Sequence, residues 1–196
     1  LSKWKKKIIL LFFFLGDGAT EEGVFFESLD FASLKSIPIL FVCENNFYSV
    51  YSNLEVRQAK NRDISKLVES HGIESYKGNG NDIDRVYDLS DKAIKYIKKN
   101  NAPAFLEFDT FRWLEHCGPN WDDDLGYRKS DELKNWMEKC PVNNFESKML
   151  HNGIFTEDDV YIYKEAINSE IEEAFLFAKE SPFPKIDILN QHIYEE

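Results

Sequence analysis

The chain lacks the markers of several protein classes. Its 196 residues include only three cysteines, Cys43, Cys117 and Cys140. They are odd in number and far apart, with neither zinc-ligand spacing nor a disulfide framework. Such usage suits a reducing compartment, and a cytoplasmic location is the expectation. Basic charge is scarce as well: 24 Lys and Arg stand against 35 Asp and Glu, a formal net charge of −11. That surplus argues against sequence-independent binding of nucleic acid or of an anionic membrane surface. The apolar run Ile8–Leu15 is eight residues long, whereas a membrane-crossing helix needs about 20. Lys3–Lys7 before that run superficially resembles the start of a signal peptide, but Gly-Asp-Gly-Ala-Thr-Glu-Glu after it is a poor cleavage region. Repeats and low-complexity segments are absent. A chain of this length can bury a core and usually forms one domain.

What is present begins with that apolar run. Bounded by lysines and glycine, Ile8–Leu15 reads as a strand buried on both faces of a parallel sheet. Gly16-Asp17-Gly18 follows it, and the two glycines allow backbone to approach a ligand closely. A helix is expected from about Glu21, with Thr20 as its cap and Glu21 and Glu22 facing the positive end of its dipole. Gly23 stands where a capping box needs Glu or Gln. Phe25, Phe26 and Phe31 read as the buried face of this helix. Ile37–Cys43 reads as a second buried strand, with Pro38 tolerated near its start. Strand, helix and strand over this length form a right-handed crossover with parallel strands. Asp17 and the Asn45-Asn46 pair then leave the sheet at the same carboxyl edge, where α/β folds hold phosphates.

A Gly-Asp-Gly turn alone is ordinary loop chemistry, and Asn-Asn alone is weaker still. Their spacing is more informative: 26 residues separate Gly18 from Asn45. Mg²⁺ takes oxygen ligands and is held by one or two carboxylates plus phosphate oxygens. One carboxylate, one amide oxygen and a backbone carbonyl would leave octahedral positions for a diphosphate and water. Gly-Asp-Gly, 26 residues and Asn-Asn together resemble the thiamine diphosphate motif of thiamine-dependent enzymes. The text GDGATEEGVFFESLDFASLKSIPILFVCENNFYSVYS is similar to the alpha subunits of two-component 2-oxo acid dehydrogenases, the pyruvate, branched-chain and acetoin group.

The resemblance implies an α/β parallel-sheet fold that binds thiamine diphosphate and Mg²⁺. It places the metal ligands at Asp17, Asn46 and the Tyr48 carbonyl, with the backbone of Gly18 and Ala19 at the diphosphate rim. It also implies decarboxylation of a small, pyruvate-like 2-oxo acid with acyl transfer to a lipoyl-bearing E2 acyltransferase. A beta subunit would supply the other wall of the site in an α₂β₂ assembly. The alpha subunits carry a long segment before the motif strand, so the chain reads as their carboxyl-terminal part, incomplete at the amino end. Two other readings are an acetoin-type or other thiamine-dependent lyase subunit, and a non-catalytic truncated remnant.

Farther along, Asp63–His71 and Asp82–Lys99 read as amphipathic helices, with Gly78-Asn79-Gly80-Asn81 as the turn between them and Asp82 as an N-cap. Ala104–Phe108 reads as a core strand. From Asp109 a long aromatic and acidic loop begins, and such loops inside compact domains are usually functional or disordered. The pattern Phe111-Arg112-Trp113-Leu114-Glu115-His116-Cys117, then Tyr127-Arg128, resembles the family's histidine-bearing loop. His116 occupies the active-site histidine position and is expected to contact the cofactor, whereas His71, His151 and His192 read as structural or solvated. Leu114 replaces a second histidine of many pyruvate-type subunits, and Cys117 replaces the regulatory serine of mitochondrial ones. Asp122-Asp123-Asp124 reads as a solvated loop face. A thiamine-domain part over residues 1–128 and a helical extension over 129–196 are expected, the strongest helix being Glu157–Lys179.

Overall fold

The computed structural model describes residues 10–129 and 131–191. Ile8, Ile9 and His192 lie outside the described residues. In chain order the strands are β1 (Leu11–Gly16), β2 (Ile39–Asn45), β3 (Tyr48–Ser49), β4 (Ser52–Asn53), β5 (Glu74–Asn79) and β6 (Ala104–Asp109). The helices are α1 (Gly23–Leu34), α2 (Leu54–Arg57), α3 (Ile64–Ser70), α4 (Ile83–Asn100), α5 (Glu132–Met137), α6 (Pro141–His151) and α7 (Glu157–Glu180). A 3-10 turn spans Asp17–Glu21.

Four strands form one parallel sheet in the order β1-β2-β6-β5, and β3 and β4 pair as a small antiparallel hairpin. Because β2 and β6 are the inner strands, their side chains are buried on both faces in alternation. Phe41, Cys43 and Phe105 pack with Phe25 and Leu29 of α1 and Ile64 and Val68 of α3. Leu40, Val42, Leu106 and Phe108 pack with Leu89, Ala93 and Ile97 of α4. The result is an α/β arrangement of two cores, one on each side of the sheet, as expected for that fold class.

Helices α3 and α4 each start on an aspartate cap. Asp63 accepts from the Lys66 amide and Asp82 from the Arg85 amide. The Thr20 cap does not form: the Thr20 hydroxyl donates to the Asp17 carbonyl at 2.6 Å, inside the 3-10 turn, and α1 begins after Glu22. The tight turn holds Thr20 too early in the chain to reach the α1 amides.

Two strands depart from the sequence expectation. β1 is an edge strand, and Leu11, Phe12, Phe13 and Phe14 are 49–62% exposed rather than buried on both faces. No described strand lies on its outer side, so its apolar side chains meet solvent. Phe31 of α1 is exposed beside it, although Phe25 is buried. On the opposite edge β5 spans Glu74–Asn79, so Gly78 and Asn79, expected to begin the turn before α4, end a strand instead. Apart from Tyr76, which packs on the α4 core, its residues are polar or glycine, so it carries no periodic signal.

The chain divides into two compact units, Leu1–Phe145 and Glu146–Glu196. In the second, α7 is capped by a reciprocal pair in which Thr156 Oγ1 accepts from the Asp159 amide while Asp159 accepts from the Thr156 amide. Among the described residues no helix is long and apolar enough to cross a membrane.

Candidate cofactor and metal site

The parallel register sets Gly16 of β1 beside Glu44 of β2, so Asp17 and Asn46 leave the sheet from adjacent strand ends. The 3-10 turn that begins at Asp17 packs on the ends of β1, β2 and β3. At Gly18 an added Cβ would meet the Ser49 hydroxyl oxygen at 2.9 Å. A larger residue there would have to displace the Ser49 side chain, so glycine lets the turn lie close against the hairpin.

Asp17 is 1% exposed. Its Oδ2 is ion-paired to Arg57, which also reaches Glu21. Glu21 accepts from Gln58 Nε2 at 2.8 Å, and Arg62 donates to the Thr20 carbonyl. The other carboxylate oxygen, Oδ1, is buried with no hydrogen-bond partner among the described residues. A buried anionic oxygen without a donor is costly, and a hard cation is the partner that would satisfy it.

Asn46 and Tyr48 follow β2, on the chain that leads into the β3–β4 hairpin against which the Asp17 turn packs. Asn46 Oδ1 accepts from the Tyr48 amide at 3.0 Å and Asn45 Oδ1 from the Phe47 amide at 3.1 Å. These consecutive turns hold Phe47 at φ +67, in the left-handed region. An amide oxygen has two acceptor sites, so Asn46 Oδ1 retains one for a ligand. The buried Asp17 oxygen, the Asn46 oxygen and the adjacent Tyr48 carbonyl thus fit a metal-holding set by donor chemistry. Among the described residues no cluster of three or more His, Cys, Asp or Glu forms a rival metal site.

Cys43, on β2 beneath this edge, is fully buried. Burial, then the negative charges of Glu107 and Asp17, push its thiol well above the ordinary range. A thiol so disfavoured as thiolate is an inert core group.

The loop after β6 is tied to the Asn46 turn through Arg128. Its guanidinium donates to Asp122 Oδ1 at 2.7 Å and to the Arg112 carbonyl at 2.7 Å. It also lies 4.8 Å from the Phe111 ring centre, 5.1 Å from that of Tyr127 and 5.7 Å from that of Tyr48. Asp122 is 1% exposed, not the solvated residue its acidic run suggests; Asp123 and Asp124 are exposed. The Tyr127 hydroxyl donates to Asp122 and accepts from Arg112 at 2.9 Å. Burial and the bond to Asp122 push the Tyr127 phenol up to about 12. Tyr48 donates to Glu132 Oε2 at 2.7 Å, and burial followed by that bond raises its phenol too.

His116 lies on an exposed turn of this loop, closed by the Asn120 side chain donating to Glu115 Oε1 at 2.6 Å and the Glu115 amide donating to the Asn120 carbonyl at 2.9 Å. Gly118 permits the closure, since a Cβ there would overlap the Glu115 carboxylate. Asp17, Gly18, Asn46 and Tyr48 are brought together at one sheet edge, Ala19 is exposed on the turn, and His116 is carried on a separate segment. Arg57 went unrecognised in the sequence, because its partners Asp17 and Glu21 lie 40 and 36 residues before it in the chain.

A parallel α/β sheet with a buried, half-satisfied aspartate beside an asparagine turn defines the class. The family model described as "Dehydrogenase E1 component" matches residues 1–187, and the chain belongs to that family. It is 31% identical over 185 residues to the pyruvate dehydrogenase E1 component subunit alpha of Rickettsia bellii, covering 94% of this chain and 56% of that protein. The corresponding subunit of Porphyra purpurea is 28% identical, covering 93% of this chain and 52% of the relative. The mitochondrial subunit of Dictyostelium discoideum is 30% identical, covering 91% and 46%. The chain thus spans about half the length of the curated relatives it matches.

Proposed function

We propose that the chain is the metal- and diphosphate-holding part of a thiamine diphosphate-dependent 2-oxo acid dehydrogenase alpha subunit, acting on a pyruvate-like acid in the cytoplasm. The observation that carries this reading is the buried Oδ1 of Asp17, without a partner among the described residues, on a turn that packs against the ends of β2 and β3. Asp17 Oδ1, Asn46 Oδ1 and the Tyr48 carbonyl would hold Mg²⁺, with the backbone of Gly18 and Ala19 along the diphosphate. Asp17 contributes the one formal charge among these donors, and Arg57 fixes its other oxygen so that Oδ1 is presented to the cation. When bound, thiamine diphosphate supplies an electron sink for the carbanion left by loss of carbon dioxide. His116 would donate a hydrogen bond or a proton to the anionic oxygen of the substrate. Tyr48 and Arg128 tie its loop to the metal turn.

The fragment left by loss of carbon dioxide would be oxidised to the acyl level by the disulfide of a lipoyl group on an E2 acyltransferase, which is reduced as one sulfur takes the acyl group. A beta subunit would complete the site in an α₂β₂ assembly. Residues 1–128 belong to the thiamine domain and 129–196 to its helical extension. Alone, the 196-residue chain should bind thiamine diphosphate weakly, because charges open to water are screened while a closed site strengthens them.

The test is turnover by the complete subunit with its beta partner, using pyruvate or acetoin and an artificial electron acceptor. Pyruvate-dependent reduction is expected, and His116→Ala should lower it by about 10²–10⁴-fold with cofactor affinity little changed. Turnover of acetoin alone would move the chain to the lyase reading. Unchanged pyruvate turnover in the variant would remove His116 from the chemistry.

A further inference from the structure

Behind the metal turn lies a buried carboxylate with no assigned part in binding. Glu107 sits on β6, opposite Cys43 of β2 and Lys77 of β5, and is 1% exposed. Its Oε1 accepts from Asn45 Nδ2 at 3.0 Å and from Lys77 Nζ at 2.7 Å, and its Oε2 accepts from Ser65 Oγ at 2.7 Å. A buried carboxylate is expensive to desolvate, and replacing a whole buried ion pair by apolar residues is often neutral or stabilising. Stability alone is therefore a poor reason for its presence here.

Its consequence for Asn45 is specific. An ionised carboxylate only accepts, so the Asn45 amide must turn its NH₂ toward Glu107. That orientation leaves Asn45 Oδ1 for the Phe47 amide at 3.1 Å. Phe47 is the left-handed residue whose conformation sets the direction of Asn46 and Tyr48. Reversing the Asn45 amide would place NH₂ against the Phe47 N–H, two donors face to face, and release the turn. We infer that Glu107 is a positioning residue: through Asn45 it holds the Asn46 side chain and the Tyr48 carbonyl in the arrangement proposed to take the metal. The inference rests on the metal reading for its purpose, but its geometry does not.

The test measures amide hydrogen exchange by NMR in the full chain, without metal or cofactor. In Glu107→Leu, exchange at Phe47 and Tyr48 should rise about tenfold, the scale of one hydrogen bond. Amides of β6 and α4 should stay within about twofold of the parent. Glu107→Gln, whose Oε1 can still accept from Asn45 and Lys77, should restore parental protection. If Glu107→Leu does not fold, Asn45→Asp provides a second route. It sets two carboxylates against each other and should release the turn, whereas Glu107→Gln/Asn45→Asp rebuilds the bond with donor and acceptor exchanged and should restore it. Parental rates in Glu107→Leu, equal acceleration across the whole sheet, or failure of the double variant to improve on Asn45→Asp would each overturn the inference.

A second measurement addresses its purpose. In the complete subunit with its partner, the Mg²⁺ concentration at half-saturation of thiamine diphosphate binding should rise about tenfold in Glu107→Leu and recover in Glu107→Gln. A parent showing no Mg²⁺ dependence would remove the metal reading, while the exchange rates would still decide the positioning role.

Discussion

Replacing Asp122 by alanine probes the network that organises the loop after β6. Both Asp122 and Arg128 side chains are 1% exposed, and their charged atoms lie 2.7 Å apart. The substitution removes that pair, the acceptor of the Tyr127 hydroxyl and a 3.7 Å interaction with Arg112. It leaves the Arg128 guanidinium buried, with only the carbonyls of Arg112 and Trp113 and three aromatic rings around it. Breaking one partner of a buried pair typically costs about 3–5 kcal/mol. The remaining carbonyls and rings favour the lower figure, about 3 kcal/mol, because they still solvate the cation. For a chain of this size that corresponds to a fall in Tm of roughly 6–12 °C. Urea unfolding followed by tryptophan fluorescence and far-UV dichroism measures it. Asp122→Leu/Arg128→Met, which removes both charges, should recover most of the loss. A single variant within about 1 kcal/mol of the parent, or a double variant as unstable as the single, would refute the buried-pair account.

Two further outcomes follow from the same geometry. The Tyr127 phenol is raised from 10.0 to about 12 by burial and its bond to Asp122, so the folded state holds that proton more tightly. Its contribution is fully present below pH about 10 and lost as pH rises toward 12; Tyr127→Phe should flatten that part of the stability profile, and an unchanged profile would contradict the assignment. Phe12, Phe13 and Phe14 are 51–62% exposed on the edge of β1 that no described strand covers, so the chain should self-associate with concentration in sedimentation experiments. Phe14→Lys, a charge on that edge, should shift it toward monomer; a monomeric parent across the micromolar range would contradict this.

The inner architecture is legible because its physics is local. Ile39–Cys43 is an apolar run and Ala104–Phe108 is apolar but for Glu107, as suits the inner strands β2 and β6, and Asp82 announces α4 through its cap. Legibility fails where a residue's role depends on distant partners. Apart from Tyr76, β5 is polar or glycine, and β1 is apolar although most of it is exposed. Asp122 looks solvated beside Asp123 and Asp124 until Arg128 folds back over it. Asp17 and Asn46 could be read from the chain, but Arg57 and Glu107 could not. Arg57 lies 40 residues from Asp17 and Glu107 62 residues from Asn45, and neither sits in a periodic pattern.

The most direct test of the central claim is calorimetric titration of thiamine diphosphate into the complete subunit with its beta partner, with and without Mg²⁺. In the parent, binding should require the metal. In Asp17→Ala the metal-dependent component should disappear while the far-UV spectrum stays unchanged, because the variant removes the one formal charge in the proposed donor set. Equal affinity in parent and variant, or equal affinity with and without Mg²⁺, would contradict the assignment of Asp17, Asn46 and Tyr48 as the clamp.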